Sequence, residues 1–262
     1  MDYPFIQGQT PEISRNGWIK IIIVNIISVL LLANGIIHGI LTSILNWIPG
    51  FSHGGQNMLY QPSLANVFAG ILTGVIFLSI NIWGFSSTVG PRWKELFKPL
   101  KKNDFWQILK YFILSMVVGI VTGLIANRLF GHEVNPANRI QASHPGAWLV
   151  FLEGRVENLF QLLGEEFIAI APFLALLQLG RLKKWSSKFS FWLALIVSSI
   201  LFATYHLSTY GYNLGYALMG LTFTRMVLTL PYVKTKNLWV SFAVHYLYDL
   251  FSFLLSFLVV VS

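Results

Sequence analysis

The 262-residue sequence contains no cysteine, which excludes disulfides, thiol nucleophiles and thiolate metal sites. Charged residues are also scarce, at 11% of the chain, whereas soluble globular domains have about 25%. The G-x-S-x-G elbow of serine hydrolases, the phosphate-binding P-loop and the H-E-x-x-H zinc motif are all absent. Internal repeats and low-complexity tracts are absent too. These absences argue against a soluble domain and against three common enzyme classes.

Hydrophobic residues, by contrast, make up 55% of the chain, which is more apolar surface than one soluble core can bury. Seven apolar runs are each near or above the roughly 20 residues that span a bilayer. They are residues 18–44, 65–86, 105–130, 150–179, 189–207, 211–231 and 238–261. We therefore predict an all-α, polytopic transmembrane helical bundle of seven spans, or of eight if residues 205–215 form a further or re-entrant segment. The first run is overlong, which predicts a tilt or a break near Gly35 or Gly39.

Lysine and arginine cluster in three loops between these runs, residues 91–102, 180–188 and 232–237, whereas residues 49–64 contain neither. The positive-inside rule therefore predicts a multi-pass protein of the plasma membrane with a cytoplasmic N-terminus. Because the net charge of +8 arises in short loops and not along one stripe, we predict no nucleic-acid partner. The N-terminus lacks a basic segment before the first run, so we expect this run to be a retained helix and not a signal peptide.

The predicted organisation has three parts. Residues 1–17 form a polar cytoplasmic N-terminus, residues 18–146 hold three transmembrane helices with their loops, and residues 147–262 form a catalytic-type membrane core. The third part contains a glutamate pair, a Phe-x-x-x-His motif and a His-x-x-x-Asp motif on three late helices. We therefore expect the functional site there.

The run at residues 163–173, LGEEFIAIAPF, places two adjacent carboxylates inside an apolar segment. Ionisable residues at membrane depth are costly and are candidates for function. Glu165 and Glu166 lie about 100° apart on a helix, so both can face the interior of a bundle. A glutamate in a dry pocket is suited to act as a general base. The alternative is a structural role, in which one glutamate pairs with Arg155 or with a loop lysine.

Two histidine motifs follow on later helices. Phe202 and His206, at the end of the fifth apolar run, are four residues apart and so share a helix face. His245 and Asp249 have the same spacing in the last run, where the carboxylate would fix the tautomer of the imidazole. The alternatives are an interfacial His206 and a His245–Asp249 pair that only links helices.

These side chains suffice for hydrolysis by an activated water. A carboxylate removes a proton from water, and the histidines orient the water, protonate the leaving nitrogen or stabilise the oxyanion. A divalent metal such as zinc, held by Glu165, His206 and His245, is a second route. At about 1.5 Å per residue, His245 lies about 12 Å from its cytoplasmic loop and His206 about 25 Å. A single site therefore requires the fifth helix to tilt, to begin later or to be broken.

The order of the motifs resembles the CAAX-protease and bacteriocin-processing family (CPBP, also called Abi), whose members are polytopic intramembrane endopeptidases. The family motifs are of the type EExxxR, FxxxH and HxxxN/D, and the resemblance covers roughly residues 147–255. The matching residues are Glu165, Glu166, Phe202, His206, His245 and Asp249. Where the family has its arginine this sequence has Ile170. We therefore expect either that the glutamates lack the electrostatic support of this arginine or that another cation, such as Arg155 or Arg225, takes its place.

The resemblance implies a role for each matching residue. Glu165 would be the general base that activates water, and Glu166 would assist it. His206 would position the water or the substrate, and His245 with Asp249 would build or support the oxyanion site. The implied partners are a lipid bilayer and a membrane-embedded or lipidated peptide substrate.

The bacterial composition of the chain, rich in Ile, Asn and Lys, favours the family's roles in peptide processing or bacteriocin self-immunity. Two other functions are compatible with the same residues. One is a non-catalytic immunity protein that shields a membrane target from a peptide toxin. The other is a proton-coupled transporter that uses Glu165, Glu166 and Asp249 as a relay, although the sequence shows no paired broken helices of the kind that transporters have.

Overall fold

The computed structural model describes residues 3–7, 10–33, 35–51, 64–133, 135, 142 and 146–259. Within these residues the chain forms eight α-helices, two short 3₁₀ helices and no β-strand. The α-helices are α1 (Arg15–Ala33), α2 (Ile36–Leu45), α3 (Leu64–Val89), α4 (Lys102–Phe130), α5 (Ala147–Leu182), α6 (Ser187–Tyr205), α7 (Leu214–Thr235) and α8 (Leu238–Leu258). The 3₁₀ helices are Gly90–Leu96 and Ser208–Tyr210.

Six of these helices are long and apolar enough to cross a membrane, namely α1, α3, α4, α5, α6 and α8. Helix α7, with 22 residues, also has the length to span a bilayer, and it has a buried arginine, Arg225, near its middle. The prediction of an all-α, polytopic membrane bundle is therefore confirmed, and a count of seven to eight spans is compatible with these helices.

The overlong first run is divided into two helices. Helix α1 ends at Ala33 and α2 begins at Ile36, and between them Gly35 has a φ of 62°. This left-handed conformation is one that glycine adopts without a steric penalty. Helix α2 has only ten residues, too few to span a bilayer. The predicted break near Gly35 is thus confirmed, whereas Gly39 lies inside α2.

Polar contacts join two of the three basic loops to each other and the third to the N-terminal segment, at one end of the bundle. Asn237, between α7 and α8, donates to the Lys98 carbonyl at 2.9 Å and accepts from the Lys98 amide at 3.0 Å. Arg181, near the end of α5, donates to the backbone carbonyl of Ile6. We call this end the basic end; it comprises residues 3–7, 10–14, 90–102, 180–188 and 232–237. The last residues of α1, α4 and α6 lie at the opposite end.

The polar N-terminal segment also carries four buried apolar side chains. They are Tyr3, Phe5, Ile6 and Ile13, each at most 3% exposed. The ring of Tyr3 lies 5.7 Å from that of Phe173 on α5 and 6.1 Å from that of Tyr232 on α7. Burial of these groups ties the segment to the core, because each removes apolar surface from water. The spacing of the four residues follows no helical or strand period, so the sequence pattern did not indicate this packing.

Side-chain caps set the start of the helices that carry the histidine motifs and Arg225. Ser186, Asn213 and Asn237 each accept a hydrogen bond from a backbone N–H in the first turn of α6, α7 and α8, at 3.0–3.2 Å. Such caps satisfy N–H groups that have no partner inside the helix. The caps therefore fix the residue at which each helix begins.

Helix α5 packs against α1, α3, α6 and α8. Every residue from 164 to 174 is buried, so the segment that contains both glutamates is enclosed on all sides. A helix that is buried all round belongs to the core of a bundle. The glutamates are therefore enclosed by protein and do not face lipid.

Gly164, directly before the glutamates, allows α3 to approach α5 closely. A Cβ at this position would lie 2.6 Å from two ring carbons of Phe77. Gly164→Ala is therefore expected to lower the free energy of unfolding by about 1–3 kcal/mol, because overpacking forces neighbours to move. Gly154→Ala in the same helix is the control, since no atom lies within 4 Å of the added Cβ. Thermal unfolding in detergent measures both variants, and equal melting temperatures would contradict the predicted clash.

Candidate active site

One cavity collects most of the predicted site residues. Its volume is about 650 Å³, and side chains from α1, α3, α5, α6, α7 and α8 line it. The predicted residues in its lining are Glu165, Phe202, His206, His245 and Asp249. Glu166 is buried behind them, with 1% of its surface exposed. The three motifs therefore meet in space although they lie on three different helices.

Both histidines approach the same carboxylate oxygen. Nε2 of His206 lies 3.8 Å from Oε2 of Glu165, and Nε2 of His245 lies 3.9 Å from it. The two histidine motifs therefore meet at one glutamate.

Residue counting predicted that His206 and His245 lie at different depths in the membrane. This difference is reduced because the helices do not all end at the same level at the basic end. One ring of the N-terminal segment contacts both Phe173, nine residues before the end of α5, and Tyr232, three before the end of α7. Helix α5 therefore continues about 9 Å further than α7, and α6 begins correspondingly further out.

Glu166 is fully engaged by three other side chains. Arg225 of α7 donates Nη1 to Oε1 at 2.7 Å and Nη2 to Oε2 at 3.0 Å. Nδ1 of His245 lies 2.9 Å from Oε1, and the hydroxyl of Ser241 donates to Oε2. These donors occupy both oxygens of a buried carboxylate, so Glu166 is not placed to touch water or substrate. Its effect is to hold Arg225 and His245 in position.

Arg225 is the buried cation that pairs with the glutamate motif. Its side chain is 2% exposed, and Nε donates to the hydroxyl of Thr229 at 3.3 Å. Its guanidinium carbon lies 4.8 Å from the centre of the Phe202 ring. Ile170 is buried in the apolar core that includes the N-terminal segment. Of the two substitutes that the sequence suggested, Arg225 forms an ion pair with a glutamate, and Arg155 forms none among the described residues.

Hydrogen bonds at Nδ1 turn Nε2 of both imidazoles toward Glu165. Nδ1 of His206 lies 2.9 Å from the Phe202 carbonyl, which only accepts, so Nδ1 carries the hydrogen. Nδ1 of His245 donates to the carboxylate of Glu166. In neutral rings both Nε2 atoms therefore carry a lone pair. The ring of Phe202 lies 4.5 Å from that of His206 and 6.1 Å from that of His245, so this residue orients one imidazole and packs on both.

The predicted pairing of His245 with Asp249 is not formed. Asp249 lines the cavity, but among the described residues it makes no hydrogen bond or ion pair with His245. The carboxylate that holds this imidazole is Glu166, on a different helix. Spacing of four residues brings two side chains to one face of a helix, but it does not decide which neighbour from another helix lies nearer.

Glu165 keeps one carboxylate oxygen for chemistry. Its Oε1 accepts a hydrogen bond from Nε2 of Gln161, one turn earlier, at 2.8 Å. Its Oε2 faces the two imidazoles at separations too long for direct hydrogen bonds. One water oxygen can bridge such a gap with two hydrogen bonds of about 2.8 Å each. The arrangement can therefore hold a water that donates one hydrogen to Glu165 and the other to one of the two imidazoles.

The described residues contain no group of three His, Asp or Glu side chains that could hold a metal ion. Zinc ligands lie about 2.0–2.1 Å from the metal, which separates ligand atoms by about 3.3 Å in a tetrahedral site. The 3.8 and 3.9 Å between the imidazoles and Glu165 exceed this value. Glu165, His206 and His245 therefore do not form a fitting zinc site in this arrangement.

Gln161 and Ser241 belong to the site but were not predicted from the sequence. Each lies four residues before a predicted residue, Glu165 or His245, and so shares its helix face. This spacing was the available signal. It is a weak one, because glutamine and serine are common at contacts between membrane helices.

Comparison with known proteins gives one family match, and it covers the part of the chain that contains these residues. Residues 147–251 match the family model described as Rce1-like, type II CAAX prenyl endopeptidase Rce1-like. The matched segment runs from α5 into α8 and contains both glutamates and both histidine motifs. Searches of curated proteins and of solved structures gave no significant match. The resemblance seen in the sequence is thus confirmed: residues 147–251 are a domain of the Rce1-like type II CAAX prenyl endopeptidase family, part of the CPBP/Abi family, in a multi-pass membrane protein.

Proposed function

We propose that the chain is an intramembrane endopeptidase that hydrolyses a peptide bond with a water activated by Glu165. The observation that carries the proposal is the convergence of Glu165 Oε2 with the Nε2 atoms of His206 and His245 in one cavity. Membership of a CAAX-type protease family supports the reaction class. Because the cavity lies between membrane helices, the substrate would be a membrane-embedded or lipidated peptide.

In the proposed reaction a water lies between Glu165 and the two imidazoles. Glu165 takes one proton from the water, and the hydroxide oxygen attacks the carbonyl carbon of the substrate. The protonated Glu165 then gives this proton to the leaving nitrogen as the C–N bond breaks. The products are a new carboxyl terminus and a new amine, and Glu165 returns to its carboxylate form.

The histidines orient the water in this scheme. A neutral imidazole whose Nδ1–H is engaged can only accept at Nε2, and a water has two hydrogens, so the water would donate one to Glu165 and the other to Nε2 of His206 or of His245. We therefore assign His245 to the water and not to an oxyanion site. Glu166 and Arg225 act as positioning residues, because Arg225 binds Glu166 and Glu166 holds Nδ1 of His245. Asp249 contributes negative charge to the cavity wall.

The biological role that we propose is bacterial processing of a membrane peptide, either in its maturation or in self-immunity against a bacteriocin. This part rests on the family resemblance and on the composition of the chain. A non-catalytic immunity protein would bind the same peptide intact, and a transporter would move it intact.

The direct test is cleavage of peptides by the purified protein in proteoliposomes containing ¹⁸O-labelled water. The substrates are a fluorescent peptide that ends in a farnesylated cysteine followed by three residues, and its unmodified counterpart. We expect one ¹⁸O atom in the new terminal carboxyl group, detected by mass spectrometry. Absence of cleavage of both peptides would contradict the proposed function.

We also propose that the basic end faces the cytoplasm, with the chain in the plasma membrane. The cavity lies toward the opposite end, since its lining includes Ala33 at the end of α1, Asn135 after α4 and Tyr210 after α6. In this orientation the substrate would reach Glu165 from the outer side of the membrane.

The lack of native cysteine allows a direct test of this orientation. Ser187 and Ser208 are exposed serines at opposite ends of α6, so Ser187→Cys and Ser208→Cys are matched reporters. In intact bacterial cells a membrane-impermeant maleimide is expected to label Ser208→Cys and to spare Ser187→Cys. Both variants should react after lysis. Labelling of Ser187→Cys alone in intact cells would reverse the assignment.

A further inference from the structure

Tyr3, in the N-terminal segment, has its ring between α5 and α7. The centre of this ring lies 5.7 Å from that of Phe173 on α5, with the two planes at 76°, and 6.1 Å from that of Tyr232 on α7, with the planes at 26°. Tyr3 is 3% exposed, and both of its partners are fully buried. Aromatic rings at such separations attract each other beyond the burial of their surface. One side chain of the segment therefore contacts two long helices at once.

The two partners of Tyr3 occupy matching positions relative to the buried ion pair. Phe173 follows Glu166 by seven residues on α5. Tyr232 follows Arg225 by the same seven residues on α7. Seven residues make almost two full turns, so residues at this spacing share a helix face and lie about 10 Å apart along it. The facing sides of α5 and α7 are therefore joined twice, once by the ion pair and once through the Tyr3 ring.

Helices α5 and α7 do not pack directly along their length. Among the described residues, α5 packs against α1, α3, α6 and α8, whereas α7 packs against α4, α6 and α8. Side chains therefore fill the space between the two helices, and at its own level the Tyr3 ring acts as a spacer. Loss of a buried ring leaves a cavity into which the neighbouring elements relax in part. A shift of α7 toward α5 at this level would tilt Arg225 against Glu166 two turns away.

Contacts with both helix ends hold the spacer in place. Arg181, near the end of α5, donates to the Ile6 carbonyl, three residues after Tyr3. On the other side, Nζ of Lys236, directly after α7, lies 3.9 Å from the centre of the Tyr3 ring. A cation over the face of an aromatic ring is attracted by the electrons of the ring. The segment is thus attached to both of the helices that its tyrosine separates.

We propose that Tyr3 is a positioning residue for the reaction, because its ring sets the separation of α5 and α7 and through it the Glu166–Arg225 pair. This inference rests on the proposed endopeptidase function. Arg225 binds Glu166, and Glu166 holds Nδ1 of His245. A change in the spacing of the helices would therefore displace Nε2 of His245 from Oε2 of Glu165, where the water would lie.

The test compares Tyr3→Ala with Phe5→Ala in the peptide cleavage assay in proteoliposomes. Phe5 belongs to the same segment and is similarly buried, at 1% exposure, but its cation contact is with Arg92 in the 3₁₀ helix Gly90–Leu96. Both variants should have a lower melting temperature, because each loses a buried ring. We expect Tyr3→Ala alone to lower kcat by about ten- to a hundredfold, with little change in KM, since small displacements of reacting groups have effects of this size. Phe5→Ala should keep kcat near the wild-type value.

Two further variants separate positioning from a general loss of stability. Tyr3→Phe keeps the ring and removes only the hydroxyl, so it should keep kcat. Tyr3→Leu fills part of the space, so it should lower kcat less than Tyr3→Ala does, and it takes the place of Tyr3→Ala if that variant does not fold. A wild-type kcat in the folded variant without the ring, or an equal loss of kcat in Phe5→Ala, overturns the proposal.

A distance measurement distinguishes failure of this proposal from failure of the proposed function. Because the chain has no native cysteine, Leu182→Cys and Lys234→Cys place two spin labels at exposed positions near the ends of α5 and α7. Electron spin resonance measures the separation of the labels without any need for cleavage. We expect Tyr3→Ala to shift this separation and Phe5→Ala to leave it unchanged. A shift specific to Tyr3→Ala supports the spacer even if no peptide is cleaved, and an unchanged separation overturns it even if the protein is a peptidase.

Discussion

Replacement of Glu165 by glutamine is expected to lower kcat for peptide cleavage by about 10²–10⁴-fold, the usual contribution of a general base. Glutamine has nearly the same shape and can accept a hydrogen bond from Gln161, but it cannot take a proton from water. Among the described residues, Glu165 is the carboxylate that directs one oxygen toward Nε2 of both imidazoles, where the proposed water would lie. The measurement is the initial rate of cleavage in proteoliposomes, with the melting temperature as the check of folding.

Glu157→Gln is the matched control for this prediction. Glu157 lies on the same helix and lines the same cavity, but its carboxylate faces Gly70 and not the imidazoles. This variant should retain activity near the wild-type value. If Glu165→Gln cleaves as fast as Glu157→Gln, the general base has been misassigned. If protection against a peptide toxin survives Glu165→Gln, the non-catalytic immunity function is favoured.

Replacement of Arg225 by methionine is expected to lower the free energy of unfolding by about 3–5 kcal/mol and to abolish cleavage. The substitution would leave Glu166 as a charge at 1% exposure without its cation. It would also release His245, whose Nδ1 shares the same carboxylate oxygen. Thermal or denaturant unfolding of the purified protein in detergent measures the loss of stability, and the peptide assay measures the loss of activity.

Two further variants sharpen this prediction. Arg225→Met combined with Glu166→Gln removes both charges, so it should recover much of the stability but none of the activity. Arg92→Met removes a cation whose ion pairs with Glu12 and Glu95 are at the surface, where solvent screens them, so we expect little change in stability. Arg225→Met as stable as Arg92→Met would show that the buried pair with Glu166 is not needed for folding.

The site could be predicted from the sequence as a set of residues but not as a set of contacts. Glu165, Glu166, His206 and His245 stand out because ionisable side chains at membrane depth are rare, and this is a local property of the sequence. Gln161 and Ser241 did not stand out, because their types are ordinary in membrane helices. The spacing within α8 predicted that His245 pairs with Asp249. In the structure its partner is Glu166 on α5.

The sequence by itself determined that this chain is an all-α membrane bundle with a break near Gly35 and a family-type motif set on its late helices. The lengths of the apolar runs, the position of Gly35 and the order of the motifs can be read from the sequence, because each depends on neighbouring residues along the chain. Only the tertiary structure decided that Arg225 pairs with Glu166, that Glu166 holds His245, and that Glu165 has one oxygen without a hydrogen bond within the described residues. These contacts depend on the rotation and stagger of helices that lie far apart in sequence, and no local period encodes either quantity.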